Sequence, residues 1–316
     1  MFASKYFYAP SILVSTHFID GLQTRTKAFL NSGEFYAMDL STGNLKLLSI
    51  FYAKYPEYAD KTFLSVKGSV RHGGPDGSYV PSSSQIFDLL LIMLGPHKKR
   101  DLFEPARIDH KTPLETIMNN LVILLKEGKF LHIGLSNCNS NTLRKANVEP
   151  RQIYPITAAK IEVSPWSYDN NQKAVISTVR ELNITVVAYS PLGRGYLTGQ
   201  IKSTSDLPEG DVRLRLTRVK EEYIKANWAI VEDLKVIAEK KGIMPAQLSI
   251  AWVASLGPHM LPLPGSLNSS CTLENLKAGE IELTPEESKA IEEVITANPV
   301  VGDRYFGSDE QAHLWG

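Results

Sequence analysis

The sequence predicts an α/β fold, a parallel sheet covered by helices. Three observations carry this. From residue 28 onward, short β-rich runs alternate with longer amphipathic runs, the order that strand–helix–strand units require. Two of the later runs, ITAAKIEVS and ITVVAYS, hold the β-branched residues favoured in strands buried on both faces. The chain has 316 residues, enough for one large α/β barrel or two ordinary domains, and no low-complexity linker divides it.

Strands are expected at 28–31, 62–66, 101–105, 131–135, 156–162, 184–188 and 260–263. The helices between them announce their starts. Thr112-Pro113-Leu114-Glu115 offers an N-cap hydroxyl, a proline at the first helical position and a glutamate at the third. Ile117, Leu121, Leu124 and Leu125 then make one apolar stripe, and Gly128 closes the helix. Thr284-Pro285-Glu286-Glu287 repeats the signal before a helix reaching about residue 295. The polar segment 202–224 reads as a long loop leading into a helix. The opening is abnormal: an eight-stranded barrel needs a strand before Ala28, and 11–18 is the one segment that qualifies. The few residues left before Ala28 are too few for a parallel crossover with its helix. Either the first strand is missing or it joins without that helix.

Apolar residues make up 43% and charged residues 22%, ordinary for a soluble domain. Lys plus Arg and Asp plus Glu number 34 each, which argues against nucleic acid as the main partner. The two cysteines, Cys138 and Cys271, are expected as free thiols in a reducing compartment. Pro10 interrupts the somewhat apolar start, so a signal peptide is not expected. No apolar run reaches the ~20 residues of a membrane span. A cytoplasmic protein is expected, with the nucleus as a further location.

Chemistry is expected at the C-terminal ends of the strands, where barrels build their sites. Tyr36, in NSGEFY, and Lys67, ending FLSVK, stand past neighbouring strands. An ammonium beside a phenol favours phenolate and lowers the tyrosine pKa from ~10, and such a tyrosine can protonate a carbonyl oxygen. The alternative is a packed tyrosine and a solvated lysine. LPLPGS ends a strand and opens a helix, offering free N–H groups to a phosphate; a simple turn is the alternative there. No GxGxxG follows a strand, no Walker A sequence occurs, and no histidine pairs at metal-ligand spacing, so no metal is expected. His132 reads as a strand residue and His110 as a surface one.

Across residues 27–306 the chain resembles aldo-keto reductases, through KAFLNSGEFY, FLSVKG, DLFEPARID, IGLSN, IEVSPWSYD, VAYSPLGRGYLTGQIKS, EGDVRLRLTR, LPLPGS with LENL, and VVGDRY. GEFY and FEPARID are most similar to the fungal pyridoxal reductase branch. The resemblance implies a (β/α)8 TIM barrel over the whole chain, 1–316, as one domain. Residues 1–26 form an atypical or shortened first β/α unit. It implies NADP(H) as cofactor, a small carbonyl substrate, and a catalytic set in which Tyr36 donates the proton and Lys67 activates it. Asn31 falls where most members carry an aspartate, and Ala106 where most carry a histidine. Ser136, Asn137 and Lys160 would face the nicotinamide carboxamide, Lys160 standing in place of a glutamine. Tyr189 would stack on the ring. Ser190, Leu192 and Arg194 would hold the pyrophosphate. Gly265, Ser266, Glu274 and Asn275 would hold the adenosine 2′-phosphate end, with Cys271 where an arginine often grips it. The reaction implied is reduction of pyridoxal to pyridoxine. Two alternatives stand beside it: another aldehyde or ketone substrate, or an inactive NADP(H)-binding protein.

Overall fold

A computed structural model describes residues 28–34, 36, 42–69, 96–110, 112–147, 154–266, 269–305 and 315, with the backbone of 11–14. Eight strands follow one another in sequence order in a single sheet: β1 (Ser11–Val14), β2 (Ala28–Gly33), β3 (Thr62–Gly68), β4 (Arg100–Pro105), β5 (Phe130–Ser136), β6 (Ile156–Glu162), β7 (Thr185–Tyr189) and β8 (Met260–Leu263). From β2 to β8 every neighbouring pair is parallel. Parallel neighbours need crossovers; apart from the one between β3 and β4, most of which lies outside the described residues, they hold α1 (Gly43–Lys54), α2 (Leu114–Lys126), α3 (Ser140–Ala146), α4 (Asn170–Leu182), α5 (Glu221–Lys241) and α6 (Pro245–Ser255). After β8 come α7 (Ser269–Lys277) and α8 (Pro285–Ala297). β1 lies close to β8, so the sheet curls back toward its own beginning.

The first strand corrects the all-parallel expectation. β1 runs antiparallel to β2, with Ser11 opposite Asn31 and Val14 opposite Ala28. Of the expected segment 11–18, a strand is present over Ser11–Val14; the connection to β2, 15–27, lies outside the described residues. Antiparallel strands can be joined by a short connection, so the reversal removes the need for a crossover helix.

Side chains alternate along each strand and sort into two cores. Leu64, Val66, Phe103, Ile133, Leu135, Ile161 and Val186 face outward onto the helices, where Leu45, Met118, Val179 and Trp252 meet them. Full burial of each such side chain contributes roughly 1.5–3 kcal/mol. Phe29, Leu102, Ala158, Val187, Leu261 and Leu263 form the smaller inner cluster. Phe29 stacks on Phe63 at 5.5 Å, and Phe63 on His132 at 5.8 Å, so His132 is part of the barrel plug. Burial lowers its pKa.

Caps follow the sequence unevenly. Thr284 closes a capping box with Glu287 at the start of α8, as its motif predicts. Thr112 does not cap α2: Pro113 is the N-cap, and the Thr112 hydroxyl donates to Asp109 Oδ2 at 2.6 Å. The acceptor, four residues beyond β4, captures the hydroxyl before the helix begins. Segment 202–224 is a chain of short 3₁₀ turns that passes into α5 at Glu221. No helix among the described residues is long and apolar enough to cross a membrane.

Candidate active site

The parallel strands β2–β8 share one direction, so their C-terminal ends gather at one mouth. Several residues there hold positive φ: Ser69 at 63°, Asn137 at 52°, Ser190 at 53° and Arg194 at 59°. A non-glycine residue in that region is strained by about 1–3 kcal/mol, and such strain collects where a surface must be shaped for a ligand. Asn137, Ser190 and Arg194 are three of the positions the resemblance assigns to the cofactor.

Tyr36 is half-buried past the end of β2. A Cβ added to Gly33 would meet the Tyr36 ring at 2.8 Å, so the ring packs flat on a position only glycine can occupy. Gly33 is the register partner of Lys67 on β3. The tyrosine and the lysine therefore belong to adjoining strand ends. Lys67 is buried, and its ammonium lies 5.5 Å from the centre of the Tyr189 ring on β7. Burial, with Lys160 and Arg107 adding to it, holds the Lys67 pKa well below the ordinary lysine value, while Glu104 acts the other way.

One layer below the mouth lies a polar network. Asn31 Nδ2 donates to Ser65 Oγ at 3.2 Å, and Ser65 Oγ donates to Glu104 Oε1 at 2.7 Å. Lys160 Nζ stands 3.6 Å from the same carboxylate oxygen. Glu104 is 0% exposed and Lys160 1% exposed. Sequence reasoning passed over Glu104. The signal was available: with the period of two, Leu102 and Glu104 share the inward face of β4. A carboxylate there is a buried charge that needs a partner.

At the end of β5, Asn137 Nδ2 donates to Ser136 Oγ at 3.2 Å, and Tyr189 donates its hydroxyl proton to Asn137 Oδ1 at 2.8 Å. The Tyr189 and Tyr305 hydroxyls are 3.0 Å apart. Tyr305 packs under Arg194 at 4.5 Å and Arg107 at 5.6 Å. Burial opposes its ionisation, but Arg194 and Arg107 overcome this and leave its pKa below the ordinary phenol value. Tyr305 and Arg107 were quoted in the VVGDRY and FEPARID matches without a role. Ala106 is buried, with its N–H donating to Gly68 O at 2.8 Å, and its methyl presents no donor to a substrate.

Beneath the loop after β7, Glu162 gathers Arg194 at 3.3 Å and Arg304 at 3.7 Å. Burial pushes the Glu162 pKa up, but Arg194, Arg304 and Arg218 hold it below the usual carboxylate range. A cavity beside this cluster is lined by Glu162, Trp166, Arg194, Tyr196, Arg218 and Arg304. Leu192 and Gly193 carry the loop over Trp166, against which Gly193 packs. The far end of the chain also returns to the mouth: Trp315 N–H donates to Asn137 O at 2.9 Å, and Asn139 Nδ2 donates to Trp315 O at 2.7 Å.

The phosphate-end residues form a separate group. Gly265 is exposed and Ser266 half-buried after β8, where the Ser266 hydroxyl bonds that of Thr272 in the first turn of α7. Asn275 is buried on α7, Glu274 O accepts from Gln247 Nε2 at 3.3 Å, and Cys271 is exposed. Cys138 is a buried free thiol, and burial lifts its pKa to about 12.

The mouth of this parallel strand–helix sheet thus gathers a tyrosine, a buried lysine and several strained, donor-bearing residues. Residues 21–296 match the model of the aldo/keto reductase family. The chain belongs to that family. It is 39% identical over 207 residues to aldo-keto reductase yakc [NADP(+)] of Schizosaccharomyces pombe, which covers 65% of this chain and 60% of that one. Aldo-keto reductase str7 of Strobilurus tenacellus is 38% identical over 206 residues, with the same coverage of 65% and 60%. The chain thus spans about 60% of the length of these two relatives. Probable pyridoxal reductase 2 of S. pombe is 31% identical over 288 residues, covering 88% of this chain and 84% of its own. Among solved structures, glycerol dehydrogenase AKR11B4 from Gluconobacter oxydans superposes with a TM-score of 0.71 at 20% identity, over 87% of this chain and 83% of that one. That likeness supports the fold, an aldo-keto reductase barrel with an atypical first unit.

Proposed function

We propose that this protein is an NADP(H)-dependent reductase of small carbonyl compounds with pyridoxal as its substrate. The observation that carries the chemistry is the packing of Tyr36 on Gly33, whose partner across the strands is Lys67. The specific substrate is supported by GEFY and FEPARID, and by likeness to a probable pyridoxal reductase across 88% of the chain.

The residues present suit a nicotinamide dinucleotide. Tyr189 offers an aromatic face, Ser136 and Asn137 offer a hydroxyl and an amide, and Arg194 offers a cation from the loop after β7. Ser266 and the start of α7 offer hydroxyl and N–H groups for a phosphate, with Glu274 and Asn275 behind them. When bound, NADPH supplies the hydride. The chain does the rest. Tyr36 gives its proton to the carbonyl oxygen as negative charge develops there. Lys67, while protonated, stabilises the phenolate left behind. Asn137, held by Ser136 and Tyr189, keeps a fixed orientation toward the carboxamide. The two free cysteines suit a reducing compartment, and this reading places the enzyme in the cytoplasm, with the nucleus as a further location.

The test is oxidation of NADPH by the purified protein, followed by absorbance with and without pyridoxal. Oxidation that depends on pyridoxal and yields pyridoxine is the expected result. If only other aldehydes or ketones drive it, the substrate assignment fails while the reaction class stands. A folded protein that binds NADPH and reduces nothing in a carbonyl panel is an inactive relative.

A further inference from the structure

We propose that Glu104 is a positioning residue whose buried carboxylate, on β4, balances the two lysines inside the barrel, Lys67 and Lys160. The inference rests on the proposed reductase reading for its activity arm alone.

The geometry is specific. Position 31 carries an amide, and its Nδ2 is spent on Ser65 Oγ and, at 3.4 Å, Ser65 O. The Glu104 carboxylate comes instead from β4, accepts from the Ser65 hydroxyl at 2.7 Å and faces Lys160 Nζ at 3.6 Å. A Cβ on Gly134 would sit tight against Ala158 O at 3.2 Å and Leu102 Cδ1 at 3.3 Å, and in ordinary contact with Glu104 Cβ at 3.5 Å. Glu104 Oε2 and Lys160 Nζ have no hydrogen-bond partner among the described residues. Their interaction is therefore a charge balance rather than a tight bonded pair.

Glu104 is the register partner of Lys67 on β3 and lies 3.6 Å from Lys160 Nζ on β6; its charge also reaches the Cys138 thiol after β5, while Arg107 after β4 bears on Lys67. The cations outnumber the carboxylate. Burial depresses both lysines, and Glu104 is what raises each of them back. Without it, Lys67 would lose its proton at a lower pH and no longer favour the Tyr36 phenolate. The carboxylate adjoins Lys160 directly and shares a register position with Lys67, so one negative charge serves both.

The sign of the effect on stability follows. A lysine depressed in the fold binds fewer protons there than in the unfolded chain, so stability rises with pH from the folded pKa up to ~10.4. Removing Glu104 depresses the lysines further, and the rise begins earlier. The experiment is the Tm of the cofactor-free protein across pH 5–10 for wild type, Glu104→Gln, Asn31→Asp/Glu104→Gln and Glu104→Gln/Lys160→Met. In Glu104→Gln the rise should begin about 1–3 pH units lower, the range set by one close opposite charge. Asn31→Asp in that background should return it toward wild type. A lowered curve of unchanged shape would mean that Glu104 only packs and bonds Ser65, and would overturn the proposal. If Glu104→Gln fails to fold, Glu104→Gln/Lys160→Met decides: a folded double variant supports charge balance, and an unfolded one overturns it. In parallel, the alkaline limb of kcat/KM for carbonyl reduction should move down in Glu104→Gln and return with Asn31→Asp. A wild type without turnover defeats the reductase reading and leaves the Tm comparison standing.

Discussion

Replacing Tyr36 by phenylalanine removes one oxygen and keeps the ring that packs on Gly33. The cofactor residues at the ends of β5 and β7 are untouched, so NADPH should bind as before while kcat falls by about 10²–10⁴, the range of a lost general acid. Stopped-flow turnover beside a fluorescence titration of NADPH checks it; retention of most of the turnover would remove Tyr36 from the proton-donor role. Glu162 makes a different prediction. It is the carboxylate against which Arg194 and Arg304 are buried, and Glu162→Gln should cost about 3 kcal/mol or more, since it leaves buried cations unbalanced. Its folded pKa is depressed, so its contribution is present above the free carboxylate value of ~4.3 and fades as pH falls. Urea denaturation of both proteins should show a wide gap at pH 7 that narrows toward pH 3. The positions of Tyr36 and Lys67 at strand ends were legible in the strand pattern, and those of Ser136 and Tyr189 in the motifs of the resemblance. Glu104 and Tyr305 were not, because their meaning lies in partners on other strands: Ser65 and Lys160 for one, Arg107 and Arg194 for the other.

At the scale of elements, short apolar runs located the strands: 156–162, with its β-branched residues, and 260–263, with none, coincide with β6 and β8. Helix starts were harder, because a cap motif is satisfied by whichever acceptor or donor is nearest. Thr112 found Asp109 within the turn after β4, whereas Thr284 had only its own helix to serve. Glu287 accepts the Thr284 N–H at 2.9 Å and also meets Lys241 at the end of α5, 2.7 Å away. Thr284→Ala removes the cap and spares this second tie. It should lower stability by about 1 kcal/mol, within the 0.5–2 usual for such caps. Thr284→Ser should retain nearly all of it. Paired urea midpoints with unchanged slopes would measure both. An alanine variant as stable as wild type would mean that the Lys241 tie alone holds the start of α8.

For the molecule as a whole, the reversal of β1 sets the terms. A parallel first strand would close the barrel as one more strand of the same kind. An antiparallel one pairs with β2 along Ser11–Val14 and reaches β8 at the other side of the gap. Nothing in strand propensity distinguishes the two directions; the spacing before Ala28 gave the warning, and only the pairing register resolves it. The reversed strand still covers the outer edge of β2, whose N–H and C=O groups would otherwise face solvent. That edge carries Asn31 and leads to Tyr36, so its cover bears on the site as well as on solubility. A chain beginning at Ala28 should therefore lose stability and associate through the bared edge. Light scattering across a range of protein concentrations would show a growing mean mass, and the Tm would fall. If the shortened chain remains monomeric with an unchanged Tm and unchanged turnover, β1 contributes nothing to closure. The β2 edge would then be protected by the curl of the remaining sheet.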